Sequence, residues 1–161
     1  MKQYKMFLLG MLIIPWFSLP LLGKKTVKRF FLSSLIINIL AVVESFFAHR
    51  YQWWWFYKRL HPKLLGDIPL IFGPFLVGSM WIFKFTYGRF FTYIKTNFLI
   101  DTFFIYIVMS WFKKIGYGSI IRLRKYQFSL LFIAKSLVLY GTQLLIDNIS
   151  GKRNQSQGKI S

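Results

Sequence analysis

An all-α, polytopic transmembrane bundle of about five spans is the fold class this sequence predicts, and three observations carry that prediction. Five apolar runs, 6-22, 30-48, 68-83, 93-112 and 126-146, each come near the ~20 residues that cross a bilayer. The 161 residues are 55% hydrophobic and 21% aromatic with a mean hydropathy of +0.46, more than a soluble core of this size needs. Asp101 and Lys135 stand deep inside two of the apolar runs, where each charge must find a partner or a purpose. Four spans plus a re-entrant segment is the alternative arrangement.

Charge narrows the partners. There are 22 Lys and Arg against four Asp and Glu, a formal charge of +18, and nearly all the cations lie in the short gaps between apolar runs. Placed there they meet anionic headgroups of a lipid bilayer, at about 1 kcal/mol each, rather than nucleic acid. Cysteine is absent, which removes disulfides, thiolate nucleophiles and cysteine metal sites. Two histidines and four carboxylates are thin material for a metal. His49, His61, Glu44 and Asp67 form the one acid/base or metal constellation available, and no ligand spacing supports it. The expectation is therefore no catalytic residue, no cofactor and no metal.

The first run follows Lys2 and Lys5 and resembles a secretory signal in outline, but no small-x-small cleavage pattern follows it, so a retained span containing Pro15 and Pro20 is expected. Lys24, Lys25, Lys28 and Arg29 make a basic turn. The second span carries Ser34, Asn38, Ala41, Ser45 and Ala48 at i, i+4, i+7, i+11 and i+14, a stripe of small or polar side chains that lets another helix approach. Glu44 borders this stripe and reads as an interfacial acid paired with Arg50 or a headgroup-level cation.

Trp53, Trp54 and Trp55, followed by basic residues, read as interfacial anchors, as do Trp81 and Trp111 at the ends of the third and fourth runs. The connection is expected to lie on the membrane, with a short interfacial helix as one form, although three adjacent indoles point around a whole helix and spoil any single apolar face. Asp67 ahead of Pro69 reads as an N-cap opening the third span, which Gly73-Pro74 interrupts.

The fourth span places Asn97 and Asp101 on one face. Counted from the turn joining their spans, Asp101 lies about 17 Å deep and Lys135 about 14 Å, so antiparallel neighbours would bring them level as an ion pair. Gln127, Lys135 and Gln143 loosely share a side of the fifth span. Asn97, Asp101, Lys135, Asn38 and Gln143 are thus the expected intramembrane polar network. Ile115 to Ser119 resembles the glycine-tyrosine-glycine core of a potassium-channel filter, but Lys114 stands where threonine belongs and no acid follows, so it reads as a glycine-rich turn. The segment 148-161 is polar and basic and reads as a disordered tail to a 1-147 membrane domain. Cations divide almost evenly between the two sides, leaving orientation open.

Gly66-Asp67-Ile68-Pro69, Gly73-Pro74-Phe75, Trp81 to Gly88, Asn97 to Asp101 and Leu139-Tyr140-Gly141 together resemble a family of small multi-spanning bacterial membrane proteins with no assigned activity, across Gly66 to Asp147. The resemblance implies a bacterial cell membrane and no chemistry. Taken with the absence of a phosphate loop, a metal set or a nucleophile-base pair, it favours a non-enzymatic structural, accessory or partner-binding membrane component, a homo-oligomer or a companion of another membrane protein. A small oligomeric transporter or proton-coupled carrier is the alternative, supported by the buried carboxylate and the broken third span.

Overall fold

A computed structural model describes residues 2–61 and 63–157. Five helices are long and apolar enough to cross a membrane: α1 (Gln3–Leu22), α2 (Lys24–Tyr51), α3 (Ile68–Thr86), α4 (Phe90–Lys114) and α5 (Lys125–Gln157), the last with its apolar window ending at Gly151. Each predicted apolar run lies within one of these helices, which continue beyond it into the flanking residues.

Proline and glycine shape the breaks. Pro15 lies in a 3-10 turn at Ile14–Ser18, where the Ser18 hydroxyl donates to Pro15 O at 2.6 Å and Trp81 Nε1 donates back to Ser18 Oγ at 3.0 Å. Neighbouring side chains thus serve the tightened turn, as a proline-bent helix in apolar surroundings requires. One residue, Gly23 at φ +85°, reverses the chain into α2. In α3, Gly73-Pro74 produces a π-helical turn, Ile71–Phe75, rather than an end, so the helix continues through it to Thr86. A Cβ at Gly73 would collide with the backbone carbonyl of Met11, so the glycine is what lets α1 and α3 touch. A second π turn, Phe104–Val108, interrupts α4 just after Asp101.

The main helix contacts run α2 to α3, α3 to α4, α4 to α5 and α5 back to α2, which closes a ring of four; α1 lies outside it along both halves of α3. The stripe on α2 is buried as its spacing predicts, with Ser34, Asn38, Ser45 and Ala48 fully enclosed and Ala41 nearly so. Outward positions carry large apolar side chains, among them Phe17, Phe91, Leu99 and Leu145.

The tryptophan connection is a strand. β1 (Trp54–Phe56) pairs antiparallel with β2 (Gly118–Ile120), with Trp54 opposite Ile120 and Phe56 opposite Gly118. Two-residue alternation resolves what a helix could not: Trp54 and Phe56 point inward and are buried, while Trp55 is half-exposed. Trp54 is therefore a core residue and not an interfacial anchor; Trp53, Trp55, Trp81 and Trp111 keep exposed surface. The glycine-tyrosine-glycine turn holds this strand pair in place. Gly118 leaves room for the Phe56 ring, Gly116 supplies φ +66°, and Tyr117 OH donates to Gly66 O at 2.8 Å. Burial, and then the nearby Asp67 charge, push the Tyr117 phenol well above its ordinary range, so it stays a neutral donor.

Instead of a disordered tail, the chain continues α5 without a break to Gln157; 158–161 lie outside the described residues.

Candidate functional site

The ring of four encloses a cavity of about 190 Å³ in the half nearer the β1–β2 ladder. Every ring helix contributes to its wall, α2 through Ala41 and Glu44, α3 through Ile71 and Phe75, α4 through Asp101 and Phe104, α5 through Phe132 and Lys135, and the connection through Trp54 and Asp67. A smaller adjoining space of about 80 Å³ shares Asp101, Lys135 and Phe132 and adds Asn97 and Ser136. Both π-helical turns lie on the cavity wall, and π turns recur at functional sites because they re-aim side chains that a regular helix would misdirect.

Lys135 is paired, but with a different acid from the one its depth suggests. Its ammonium lies 3.0 Å from Glu44 Oε2, both side chains being almost enclosed. Among the described residues no ion pair joins Lys135 to Asp101. Helix α5 packs on α2 as well as on α4, so Lys135 can reach either, and Glu44 is the one it bonds. Glu44 thus belongs to the interior and not, as its position near the end of the run implies, to the interface with Arg50. The Lys135 ammonium also stands 4.2 Å from the Phe132 ring centre and 5.6 Å from that of Phe75, within the range of cation–π attraction.

Asp67 is the second surprise. It occupies the N-cap position of α3, but its side chain does not cap; Oδ2 accepts from the Ser45 hydroxyl and from Trp54 Nε1, the latter at 3.2 Å. That contact turns the carboxylate toward α2 and into the cavity wall.

Three of the chain's four carboxylates therefore line one cavity, and each leaves an oxygen without a hydrogen-bond partner among the described residues: Glu44 Oε1, Asp67 Oδ1 and Asp101 Oδ2. Asp67 and Asp101 are 3% and 7% exposed, so bulk water does not serve them. Buried carboxylate oxygens normally find donors, because leaving one unserved costs on the order of 1–3 kcal/mol or more for a charge.

Asn97 lines the smaller space but, like the remaining members of the expected network, makes no hydrogen bond to these acids among the described residues. Asn97 donates to Tyr93 O one turn back, at 2.9 Å, and Asn38 to Ser34 O at 2.6 Å, both within their own helices. Gln143 belongs to a separate cluster at the opposite end: Ser33 Oγ donates to its Oε1 at 2.6 Å and its Nε2 donates to Asp147 Oδ1 at 3.0 Å. Asp147 also accepts from Tyr87 OH and, at 2.9 Å, from Arg29. The histidine constellation does not assemble. His49 Nδ1 is bonded to Ser45 O in its own helix, His61 Nδ1 accepts from the Lys63 amide, and among the described residues no three His, Asp or Glu side chains converge as a metal site would need.

Sequence reasoning missed Glu44 as the partner of Lys135, Asp67 as a cavity wall and the inward turn of Trp54. Only a weak signal was available for the last: two loops that an even number of intervening spans puts on one side, one of them with a glycine beside an aromatic. Compared with known protein families, curated proteins and solved structures, the chain matches none.

Proposed function

We propose that this chain is an integral protein of a bacterial cell membrane that crosses the bilayer five times and acts as a small carrier, holding its solute in the cavity between α2, α3, α4 and α5. The observation that carries the reading is the gathering of three of only four carboxylates, with the one deep lysine, around a single cavity. Ionisable groups at membrane depth mark solute and ion paths, and interrupted helices beside them are how carriers place polar groups there. A purely structural or accessory role explains the Ser33–Gln143–Asp147 cluster, whose polar groups are mutually satisfied. It gives no use for carboxylate oxygens left open in an apolar chamber.

Exposed Phe, Leu and Ile along the helix exteriors support the membrane assignment, since water does not tolerate apolar surface of that extent. The cationic turns then lie at headgroup level. Sidedness is directly testable because the chain has no cysteine of its own. Single cysteines at Lys58 and Lys114 should label from one side of the membrane, and cysteines at Lys25 and Arg89 from the other. For the carrier role, proteoliposomes should show flux of at least one class in a panel of cationic, neutral and anionic solutes. Absence of flux across the whole panel by a folded protein would return the accessory role to first place.

A further inference from the structure

Granting a solute-binding cavity, its chemistry selects among solutes. The Lys135 ammonium is held by Glu44 at 3.0 Å, whereas Asp67 and Asp101 line the same chamber with no ion-pair contact of their own among the described residues. An anion entering would meet two carboxylates that lack an ion-pair contact among the described residues. A neutral solute would leave them without countercharge. A hard metal ion needs several oxygens converging at one point, and among the described residues no such group of acids and histidines exists. The acids are instead spread around an apolar, aromatic-walled space. That space is somewhat larger than the apolar cavity of about 150 Å³ that admits benzene. Two of its rings, Phe132 and Phe75, already flank an ammonium, that of Lys135, which shows how the wall receives one.

We propose that the cavity binds an organic cation, an ammonium group carrying an apolar or aromatic body of about benzene size, with the Asp101 and Asp67 carboxylates as countercharge and the Phe132 and Phe75 rings as walls. The buried pair Glu44–Lys135 acts as a fixed partition that removes the lysine from competition. The contrast with the rest of the molecule favours this: a chain of net charge +18 repels cations almost everywhere, so an acid-lined interior is where a cationic solute finds its one attractive site.

The test uses the full chain in nanodiscs and binding of benzyltrimethylammonium, whose charge is fixed, against neopentylbenzene, its neutral isostere, benzenesulfonate and Mg²⁺. Benzyltrimethylammonium should bind at one site and at least about tenfold more tightly than the neutral isostere, with no competition from benzenesulfonate or Mg²⁺. Asp101→Asn should weaken the cation about tenfold and leave the isostere unchanged. Phe132→Leu, which touches no carboxylate, should weaken the cation several-fold, and so keeps the test decisive if Asp101→Asn does not fold. Equal affinity for cation and isostere, displacement by Mg²⁺, or indifference to both substitutions would overturn the ligand class. Equal affinity leaves the carrier reading intact, whereas tight cation binding without flux in proteoliposomes removes the carrier and keeps the site.

Discussion

At the end of the bundle that holds the α3–α4 turn, Asp147 is met by Arg29, Tyr87 and Gln143, and Gln143 by Ser33, so one carboxylate ties α2, α5 and the α3–α4 turn together. At the end that holds the β1–β2 ladder, three carboxylates line a chamber whose one ammonium pairs with Glu44, and each acid keeps an open oxygen among the described residues. The two regions draw on the same residue types and differ in stoichiometry of donors to acceptors. Satisfied polar groups lock helices; unsatisfied ones hold a chamber ready for something else. The first arrangement is architecture, and the second costs stability that only a function repays.

The largest effect expected from breaking that contrast falls on the one locked element within the open end. Lys135→Met alone strands Glu44 in the interior and should destabilise by about 3–5 kcal/mol, while Glu44→Gln with Lys135→Met together should cost far less. Unfolding in detergent measures the coupling, and the parallel cycle of Asp101 with Lys135 should come out much smaller. At the closed end, Gln143→Leu removes the bridge between Ser33 and Asp147 and should cost about 1–3 kcal/mol by the same measurement.

Tyr87 sharpens the comparison through pH. Burial first, and then its hydrogen bond to Asp147, push its phenol up from 10.0 to about 12. A folded value above the unfolded one means that the stabilisation is complete below pH ~10 and lost as pH rises toward ~12, so melting temperature should fall across that window. Tyr87→Phe should flatten the fall. Arg29→Ala should matter least at that end, within about 1 kcal/mol, because the guanidinium is half-exposed and screened. Smallest of all is Asp101→Asn: an acid with no ion-pair partner among the described residues contributes little that stability requires, so thermal unfolding should be unchanged or improved while cation binding weakens about tenfold.

Much of the scaffold was legible. Apolar runs of near-bilayer length placed all five helices, and the Ser34–Ala48 spacing identified the buried face of α2, because both signals are local and periodic. Depth along the chain also marked Asp101 and Lys135 as neighbours of one another's level. It did not choose the partner of Lys135, since that depends on α5 closing the ring against α2, a contact between segments some ninety residues apart with no local signature. Trp54 was misplaced for a related reason. A three-residue strand has a side preference only once its partner is known, and β2 follows about sixty residues later. Asp67 carried a local signal, aspartate before Ile-Pro, that fixed its backbone position correctly and misdirected its side chain.

The ladder between β1 and β2 also sets an order of events. Trp54 and Phe56 form a wall of the cavity, yet their strand gains its partner only after Gly118–Ile120 has been synthesised. At about 5–20 residues per second, several seconds separate the two segments on the ribosome. During that interval α1 to α3 have no ring to close, since α4 and α5 supply its other half. The chamber accordingly exists only once α4 and α5 are in place, and a chain halted before β2 would leave the indole-rich segment without its strand partner.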